Sequence, residues 1–232
     1  MQYENMYPGV FIDRPNRFIA HIEIDGKREI CHVKNTGRCR ELLIPGAQVW
    51  VQKADSPSRK TKYDLIGVKK GEMLVNMDSQ IPNRVVEEWI RGGGFGAGVN
   101  LVRREVKFGN SRFDLYVEQE NSKMFIEVKG VTLEERRIAS FPDAPTERGV
   151  KHLMELCECV KAGYEAYVIF VIQMKGVCLM TPNWKTHAAF GEVLQLAAES
   201  GVHILAYDCV VRPDSIVLDQ PVPVLLTDDS VL

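Results

Sequence analysis

The sequence predicts an α/β chain, α+β overall, in which a small β-barrel precedes a mixed sheet flanked by helices. In the first eighty residues, short stretches of alternating apolar and polar residues are separated by turn residues, which is typical of antiparallel strands. From residue 81 onward, amphipathic helical stripes alternate with apolar strands. This change of pattern predicts a first domain over residues 1–80 and a second domain over residues 81–232.

The first half contains about five predicted strands. The clearest alternation is in residues 18–24, and Asp25-Gly26 follows as a strong hairpin signal. The other predicted strands cover residues 30–33, 47–52, 63–68 and 73–77. Five short strands joined by turns have the size of an OB-like β-barrel.

The second half has the predicted order α-β-β-β-α-β-α-β. Asn83 can cap a first helix, which ends at the glycine-rich stretch 92–98. Three strands of an antiparallel meander follow, and residues 132–145 read as a polar loop. The remaining elements are a helix starting at Thr146, a buried strand over 166–173, a helix over 186–200 and a last strand over 203–211.

Composition and charge narrow the functional class only slightly. The chain has 232 residues, is 45% hydrophobic and carries a formal net charge of -2, so no bulk charge points to nucleic acid. Its six cysteines match no zinc-binding spacing, which predicts reduced thiols and a cytoplasmic location. The longest apolar run, 166–172, is far shorter than the ~20 residues that span a bilayer, so no membrane association is expected.

Three polar residues stand out on the predicted meander. Glu127 and Lys129 share one face of a strand that is otherwise apolar, and Asp114 lies on the preceding strand. A meander can bring Asp114 beside Glu127, where two carboxylates repel unless a divalent cation joins them. Mg²⁺ prefers oxygen ligands of this kind, and a nearby lysine could hold a phosphate oxygen or a metal-bound water. The spacing alone equally fits exposed cross-strand ion pairs.

The helix that begins at Thr146 has a basic edge. Arg148, Lys151 and His152 fall on one side of it together with Glu155. This edge can lie along a nucleic-acid backbone, and it can equally be an ordinary solvated helix face.

Two resemblances extend this interpretation. Asp114 and the Glu127-Val128-Lys129 stretch resemble the motif of the PD-(D/E)xK nuclease superfamily. The whole chain resembles the sugar fermentation stimulation protein family, SfsA. The segments that carry this second resemblance are RPNRFIAHIE (14–23), NTGRC (35–39), PGAQVW (45–50), SRK (58–60), PNR (82–84), REVKFGNSRFD (104–114), IEVKGVTL (126–133), FPDAPTERGVKHL (141–153) and VHILAYDC (202–209). Many relatives have NTGSM or NTGAM where this chain has NTGRC.

The resemblance implies an N-terminal OB-like domain, a PD-(D/E)xK nuclease-like domain and DNA binding. It marks Asp114, Glu127 and Lys129 as catalytic residues around Mg²⁺ or Mn²⁺. It adds Glu105, from the REVKFG segment, and Glu88, on the first helix, to Asp114 and Glu127 as metal ligands. Because Glu87 is adjacent, the choice of Glu88 depends on the register of that helix. Lys151 and His152 fall in the matching RGxKHL segment.

The OB-like half adds candidate DNA-binding residues. Folds of this type bind single strands through basic grooves and stacking aromatic side chains. The candidates are Arg14, Arg17 and Phe18 near the first predicted strand, and Arg59, Lys60 and Lys62 in a polar loop.

The sequence therefore predicts a DNA-binding protein of the SfsA type with a Mg²⁺-dependent nuclease site. Two alternatives remain open at this stage. One is a non-catalytic DNA-binding regulator of sugar metabolism, and the other is a small-molecule hydrolase or lyase that uses the same carboxylate site.

Overall fold

In this computed structural model, the described residues are 1–35, 37–55 and 59–228. Thr36 of the NTGRC segment, Ser58 of the SRK segment and the last residues of the predicted second domain, 229–232, lie outside them.

The first half forms the predicted barrel. Its strands are β1 (Met6–Asn16), β2 (Ile19–Ile24), β3 (Lys27–Val33), β4 (Gln48–Lys53), β5 (Tyr63–Lys70) and β6 (Met73–Asn76). They hydrogen-bond in the order β3-β2-β1-β4-β5-β6, and a parallel β3–β5 pairing closes the first five strands into a barrel. Asp25 and Gly26 both have positive φ angles, as the tight β2–β3 turn requires.

Strand β1 was not predicted from the sequence. Pro8, Gly9 and Pro15 interrupt its pattern and read as turn residues. The strand nevertheless forms, because it pairs with β2 on one side and with β4 on the other. Tertiary pairing here outweighs local propensity.

The second half forms a six-stranded mixed sheet with helices on both faces. Its elements are α1 (Pro82–Arg91), β7 (Val99–Phe108), β8 (Ser111–Gln119), β9 (Ser122–Val131), β10 (Glu134–Glu135), β11 (Ile138–Phe141), α2 (Glu147–Lys161), β12 (Glu165–Ile172), β13 (Leu179–Pro182), α3 (Trp184–Glu199), β14 (His203–Arg212) and β15 (Ser215–Pro221). The main sheet has the order β15-β14-β12-β9-β8-β7, in which β9, β12 and β14 run parallel. The predicted architecture, an OB-like barrel followed by a mixed sheet flanked by helices, is confirmed.

Several predicted boundaries need correction. The stretch 132–145, predicted as a loop, contains β10 and β11, which form a small sheet with β13. Strand β15 pairs with β14 at the edge of the main sheet and was not predicted either. Ile81 precedes the first helix as its cap residue, and Asn83 lies inside the first turn. Thr146 caps α2 as predicted, since its side chain accepts a hydrogen bond from the Gly149 backbone N–H.

The two halves are joined by buried contacts. One hydrophobic cluster runs from barrel residues such as Phe11 and Val49 to Phe113 and Phe170 of the main sheet. Gln173, which follows β12, is 1% exposed, and its side-chain amide donates to the backbone oxygens of Asn76 and Asp78, both at 3.0 Å. Because these acceptors are shielded from water, the end of the barrel is tied to the end of β12.

We therefore expect Gln173→Ala to destabilise the fold by about 2–4 kcal/mol, since buried carbonyl groups that lose their donor cost about 1–3 kcal/mol each. Urea unfolding of the full chain measures the loss. The matched control is Gln52→Ala, whose exposed amide donates to Glu4 and should cost about 0.5 kcal/mol or less. Equal losses in the two variants would contradict an energetically important junction at Gln173.

Candidate active site

The site forms where two neighbouring strands of the main sheet separate. Strands β8 and β9 pair from Gln119↔Ser122 up to Leu115↔Ile126 and no further. Beyond that point β8 remains paired with β7, and β9 remains paired with β12. The backbone therefore opens into a fork, with Asp114 on one arm and Glu127 on the other.

Asp114 bridges the two arms of the fork. One of its carboxylate oxygens accepts a hydrogen bond from the backbone N–H of Val128 at 2.8 Å. The other oxygen accepts from the side-chain amide of Asn83 on α1 at 2.7 Å. The first bond satisfies a β9 amide at the point where the ladder between β8 and β9 has ended.

Glu127 is the most enclosed carboxylate of the site, with 3% of the residue exposed. Its Oε1 accepts from the Lys129 ammonium at 2.5 Å and lies 2.6 Å from Nδ1 of His152. Its Oε2 is buried and has no hydrogen-bond partner among the described residues. An unsatisfied buried carboxylate oxygen is costly, and a bound ion, a water or a catalytic role accounts for many such atoms.

The protonation of His152 follows from its two contacts. A carboxylate only accepts, so Nδ1 donates to Glu127, and Nε2 then accepts from the Arg148 side chain at 3.3 Å. This pattern assigns the neutral imidazole with its proton on Nδ1. His152 is 5% exposed, so the structure places it beneath Glu127 and away from the exposed basic edge where the sequence pattern put it.

The two carboxylates differ in acidity. Burial, followed by the negative charge of Glu127, raises the pKa of Asp114 from 3.8 to about 6. Burial also acts to raise the pKa of Glu127, but the hydrogen bond from His152 and the Lys129 ammonium outweigh it and hold that pKa below its ordinary value. The result is an ionised Glu127 beside an Asp114 that titrates near neutral pH.

The two other predicted metal ligands lie in exposed ion pairs. Glu88 contacts the N-terminal ammonium of Met1 at 2.6 Å and the Arg84 side chain at 3.2 Å. Glu105 contacts Arg112 at 2.7 Å. Helix α1 instead contributes Asn83 to the site. Within the described ranges, no cluster of three or more His, Cys, Asp or Glu side chains is arranged to hold a metal ion.

The donor set fits a divalent cation held by two carboxylates. Asp114 and Glu127 supply hard oxygen ligands, and the unsatisfied Oε2 of Glu127 offers an available one. Mg²⁺ is commonly bound by one or two carboxylates, with water completing its coordination. Four protein carboxylates, as predicted from the sequence, are therefore not required.

The predicted DNA-binding residues fall into two groups. Some side chains are already bonded to other groups of the protein, and the others are exposed. Arg14 donates to four backbone oxygens, and Arg59 forms a two-point contact with the buried Asp64. Lys62 lies 3.8 Å from Glu29. The cation of Arg17 is 5.5 Å from the ring centre of Phe18, which is 48% exposed. Lys60, Arg148 and Lys151 are exposed as well, and Lys151 reaches the backbone oxygen of Asn110 at 3.4 Å.

Two features of the site were missed from the sequence. Asn83 was interpreted as a helix cap, and His152 as a DNA-binding residue on the basic edge of its helix. Both assignments depend on how α1 and α2 are rotated against the sheet, and side-chain spacing along one helix does not give that rotation.

The fold and the site define the class of protein: an OB-like barrel joined to a mixed α/β domain that carries an Asp and a Glu-x-Lys motif at a strand fork. Family models agree with this class. "SfsA N-terminal OB domain" matches residues 12–77, and "Sugar fermentation stimulation protein RE domain" matches residues 80–215. The chain belongs to the SfsA family.

Individual relatives support this membership. A sugar fermentation stimulation protein homolog of Clostridium beijerinckii is 60% identical over 97% of this chain and 100% of its own length. A homolog of Clostridium botulinum is 48% identical over 95% of this chain and 97% of its own length.

A solved structure is similar along almost the whole chain. SfsA of Pyrococcus furiosus, solved in complex with Ca²⁺, is 28% identical and superposes with a TM-score of 0.87. The alignment covers 97% of this chain and 98% of the other. None of the helices in the described part of this chain has the length and apolar character that a bilayer crossing requires.

The unequal acidity of the two carboxylates can be measured directly. In metal-free buffer we expect the Asp114 carboxyl to titrate with a pKa near 6. Glu127→Gln should lower that pKa, because it removes a neighbouring negative charge. Carbon-13 NMR of the aspartate carboxyl groups provides the readout, and Glu118→Gln, on the same sheet, is the matched control.

The raised pKa of Asp114 also determines how this group changes the stability of the fold with pH. A folded pKa above 3.8 means that the folded chain holds this proton more tightly than the unfolded chain. The carboxyl therefore stabilises the fold most at low pH, and this contribution is lost as the pH rises through about 6. A midpoint for Asp114 near that of an exposed aspartate would contradict the coupling to Glu127.

Proposed function

We propose that this protein binds DNA and hydrolyses its phosphodiester bonds with a divalent cation, Mg²⁺ or Mn²⁺, held by Asp114 and Glu127. The observation that supports this most directly is the pair of carboxylates at the strand fork: the half-buried Asp114 has a raised pKa, and the buried Glu127 has an unsatisfied oxygen. The Ca²⁺ complex of the Pyrococcus furiosus relative supports a divalent ion in this family.

A divalent cation at this position would polarise a phosphoryl oxygen and lower the pKa of a bound water. The side chains prepare the fork for it. Asn83 and the Val128 N–H fix the direction of the Asp114 carboxylate, and His152 keeps Glu127 ionised. Because Glu127 Oε1 is occupied by these contacts, Oε2 is the oxygen left for an ion.

Lys129 is proposed to stabilise negative charge on the phosphate. Its bond to Glu127 holds the ammonium beside the carboxylates, and 14% of its side chain is exposed. A preorganised cation next to a developing negative charge lowers the barrier without reorganisation.

The DNA backbone is proposed to contact the exposed cations of both halves. These are Arg17, Lys60 and Lys62 on the barrel and Arg148 and Lys151 on α2. Backbone contacts of this kind supply affinity, whereas base contacts supply sequence choice. Because the net charge of the chain is -2, such binding requires a local basic face.

A second function, a DNA-binding regulator that cuts nothing, is favoured by one specific observation. Glu127 Oε1 is bonded to both Lys129 and His152, and within the described ranges no third acidic, histidine or cysteine ligand joins the pair. A site closed by these internal bonds would bind DNA without turnover.

The decisive experiment incubates labelled single- and double-stranded DNA with the full chain and Mg²⁺ or Mn²⁺. We expect cleavage that falls about a hundredfold or more in Asp114→Ala and Glu127→Ala, since Lewis-acid stabilisation contributes several kcal/mol. Lys129→Ala should reduce the rate by about 10²-fold. Calorimetry with Mn²⁺ on the same variants measures ion binding separately from turnover.

Glu88→Gln is the matched control, because Glu88 lies on α1 in an exposed ion pair. It should retain cleavage and Mn²⁺ binding. DNA binding without cleavage in the presence of either Mg²⁺ or Mn²⁺ would contradict the nuclease proposal and favour the non-catalytic DNA-binding regulator.

DNA binding itself should weaken steeply with salt, because neutralised phosphates release counterions. Removing one cation in Lys151→Ala or Lys60→Ala should reduce the slope of log affinity against log salt by about one per lost contact. Lys123→Ala, an exposed lysine on the β8–β9 hairpin, is the control. Affinity that stays constant between low and moderate salt would contradict backbone recognition.

A further inference from the structure

An open cavity of about 510 Å³ lies between the barrel and the segment that leads into α2. Four arginines line it: Arg14, whose side chain is bonded to the backbone, and the exposed Arg17, Arg38 and Arg40. We refer to this cavity as the arginine pocket.

The guanidinium groups of Arg17, Arg38 and Arg40 form no ion pair within the part of the chain that the structure describes. Among the described residues, no carboxylate forms an ion pair or hydrogen bond with any of them, and Arg17 has only its stacking contact with Phe18. The nearby Asp143 packs against the Gly37 backbone and lines a separate cavity of about 100 Å³. In a chain of net charge -2, three arginines without an ion-pair partner concentrate positive charge around one cavity, although the negative charges of Glu41 and Asp143 act on Cys39 between Arg38 and Arg40.

The backbone around the pocket is fixed by a fourth arginine. The two terminal nitrogens of Arg14 donate to the backbone oxygens of Arg17, Asn35, Gly37 and Arg38 at 2.7–2.9 Å. All four terminal hydrogens of Arg14 are used in this way, so this arginine is structural. The segments that carry Arg17 and Arg38 are therefore held together before any ligand arrives.

Cys39 adds a second constraint between Arg38 and Arg40. It is 3% exposed and has a φ angle of 46°, a left-handed conformation that is strained for a residue with a side chain. Strain of this kind persists where the surrounding structure fixes the backbone, and it is concentrated at binding sites.

We propose that the arginine pocket binds the phosphate monoester group of a nucleotide-sized ligand. Planar guanidinium groups pair with phosphate oxygens through two parallel hydrogen bonds. Three unpaired cations match a doubly charged terminal phosphate better than the single charge of a diester within a strand. The volume lies within the range of small-molecule sites.

The phosphate monoester has two sources, the end of a nucleic-acid strand and a free nucleotide. The pocket is separate from the strand fork, but the two are connected through one loop. Asn35, whose backbone oxygen Arg14 binds, lines the smaller cavity together with Gly130, the residue after Lys129. The inference goes beyond the proposed function, because it requires neither a metal ion nor cleavage.

The test measures binding to the full chain without divalent ions. The probes are deoxyadenosine monophosphate and a 12-nucleotide single strand that carries a 5′-phosphate, a 3′-phosphate or hydroxyl groups at both ends. We expect one of two results. Either a phosphate-ended strand binds more tightly than its hydroxyl-ended counterpart, or the mononucleotide binds and the strands show no preference for a terminal phosphate. The first result identifies strand ends as the ligand, and the second identifies free nucleotides.

The variant Arg38→Ala/Arg40→Ala should weaken binding of the recognised probe by about tenfold for each arginine removed. Arg103→Ala/Arg212→Ala removes the same charge from the main sheet and should leave binding unchanged. Arg38→Lys/Arg40→Lys, which keeps the charge but loses the planar fork, should retain only part of the affinity and serves if the alanine variant does not fold.

Two results would contradict the proposal that the arginine pocket binds a phosphate monoester. One is equal affinity for phosphate-ended and hydroxyl-ended strands together with no binding of the mononucleotide. The other is an equal loss of affinity in the pocket variant and in the charge-matched control. Because the assay contains no divalent ion, it tests phosphate binding independently of cleavage. Its result can therefore be interpreted even if the nuclease proposal is wrong.

Discussion

The hydrogen bond from the Val128 N–H to the Asp114 carboxylate is the contact on which the site depends. It lies where β8 and β9 stop pairing, and it satisfies an amide that would otherwise lose its partner within the sheet. A sheet that continued its ladder would hold Asp114 and Glu127 as ordinary cross-strand neighbours on a closed surface. The fork replaces backbone pairing by a side chain, and in doing so it makes room beside two acids.

This arrangement stores electrostatic free energy. Asp114 has a raised pKa because it is partly buried beside the negative charge of Glu127, while Glu127 is kept ionised by His152 and Lys129. The cost of holding two acids together falls when a cation joins them, so ligand binding and folding are coupled through the same groups. His152 and Asn83 do not belong to the short nuclease motif, yet they determine the direction and charge state of its carboxylates.

The sequence allowed most of the fold to be predicted, because periodicity and turn chemistry are local. The Asp25-Gly26 hairpin, the Thr146 cap and the buried strand β12 are examples. Strand β1 and the β10–β11 hairpin were missed because pairing with distant strands stabilises them. Asp114, Glu127 and Lys129 were selected from strand alternation and motif, and the structure brings them together at the fork. The surroundings of Glu88, Glu105 and His152 were not predicted, because they depend on the rotation of α1 and α2 and on the left-handed backbone of Glu105 in β7, whose φ angle is 57°.

The junction between the halves joins the barrel and the mixed sheet through buried contacts. Gln173 ties the end of β12 to the end of the barrel, and Lys70 of β5 contacts Glu134 of β10 at 2.6 Å. The loop held by Arg14 lies at the same junction, with Asn35 beside Gly130. A ligand that contacts this loop therefore meets a surface connected by packed and hydrogen-bonded groups to the strand that carries Glu127 and Lys129. A flexible linker would not keep this loop at a fixed position relative to β9. The buried polar contacts of the junction therefore help to define the geometry around the carboxylates.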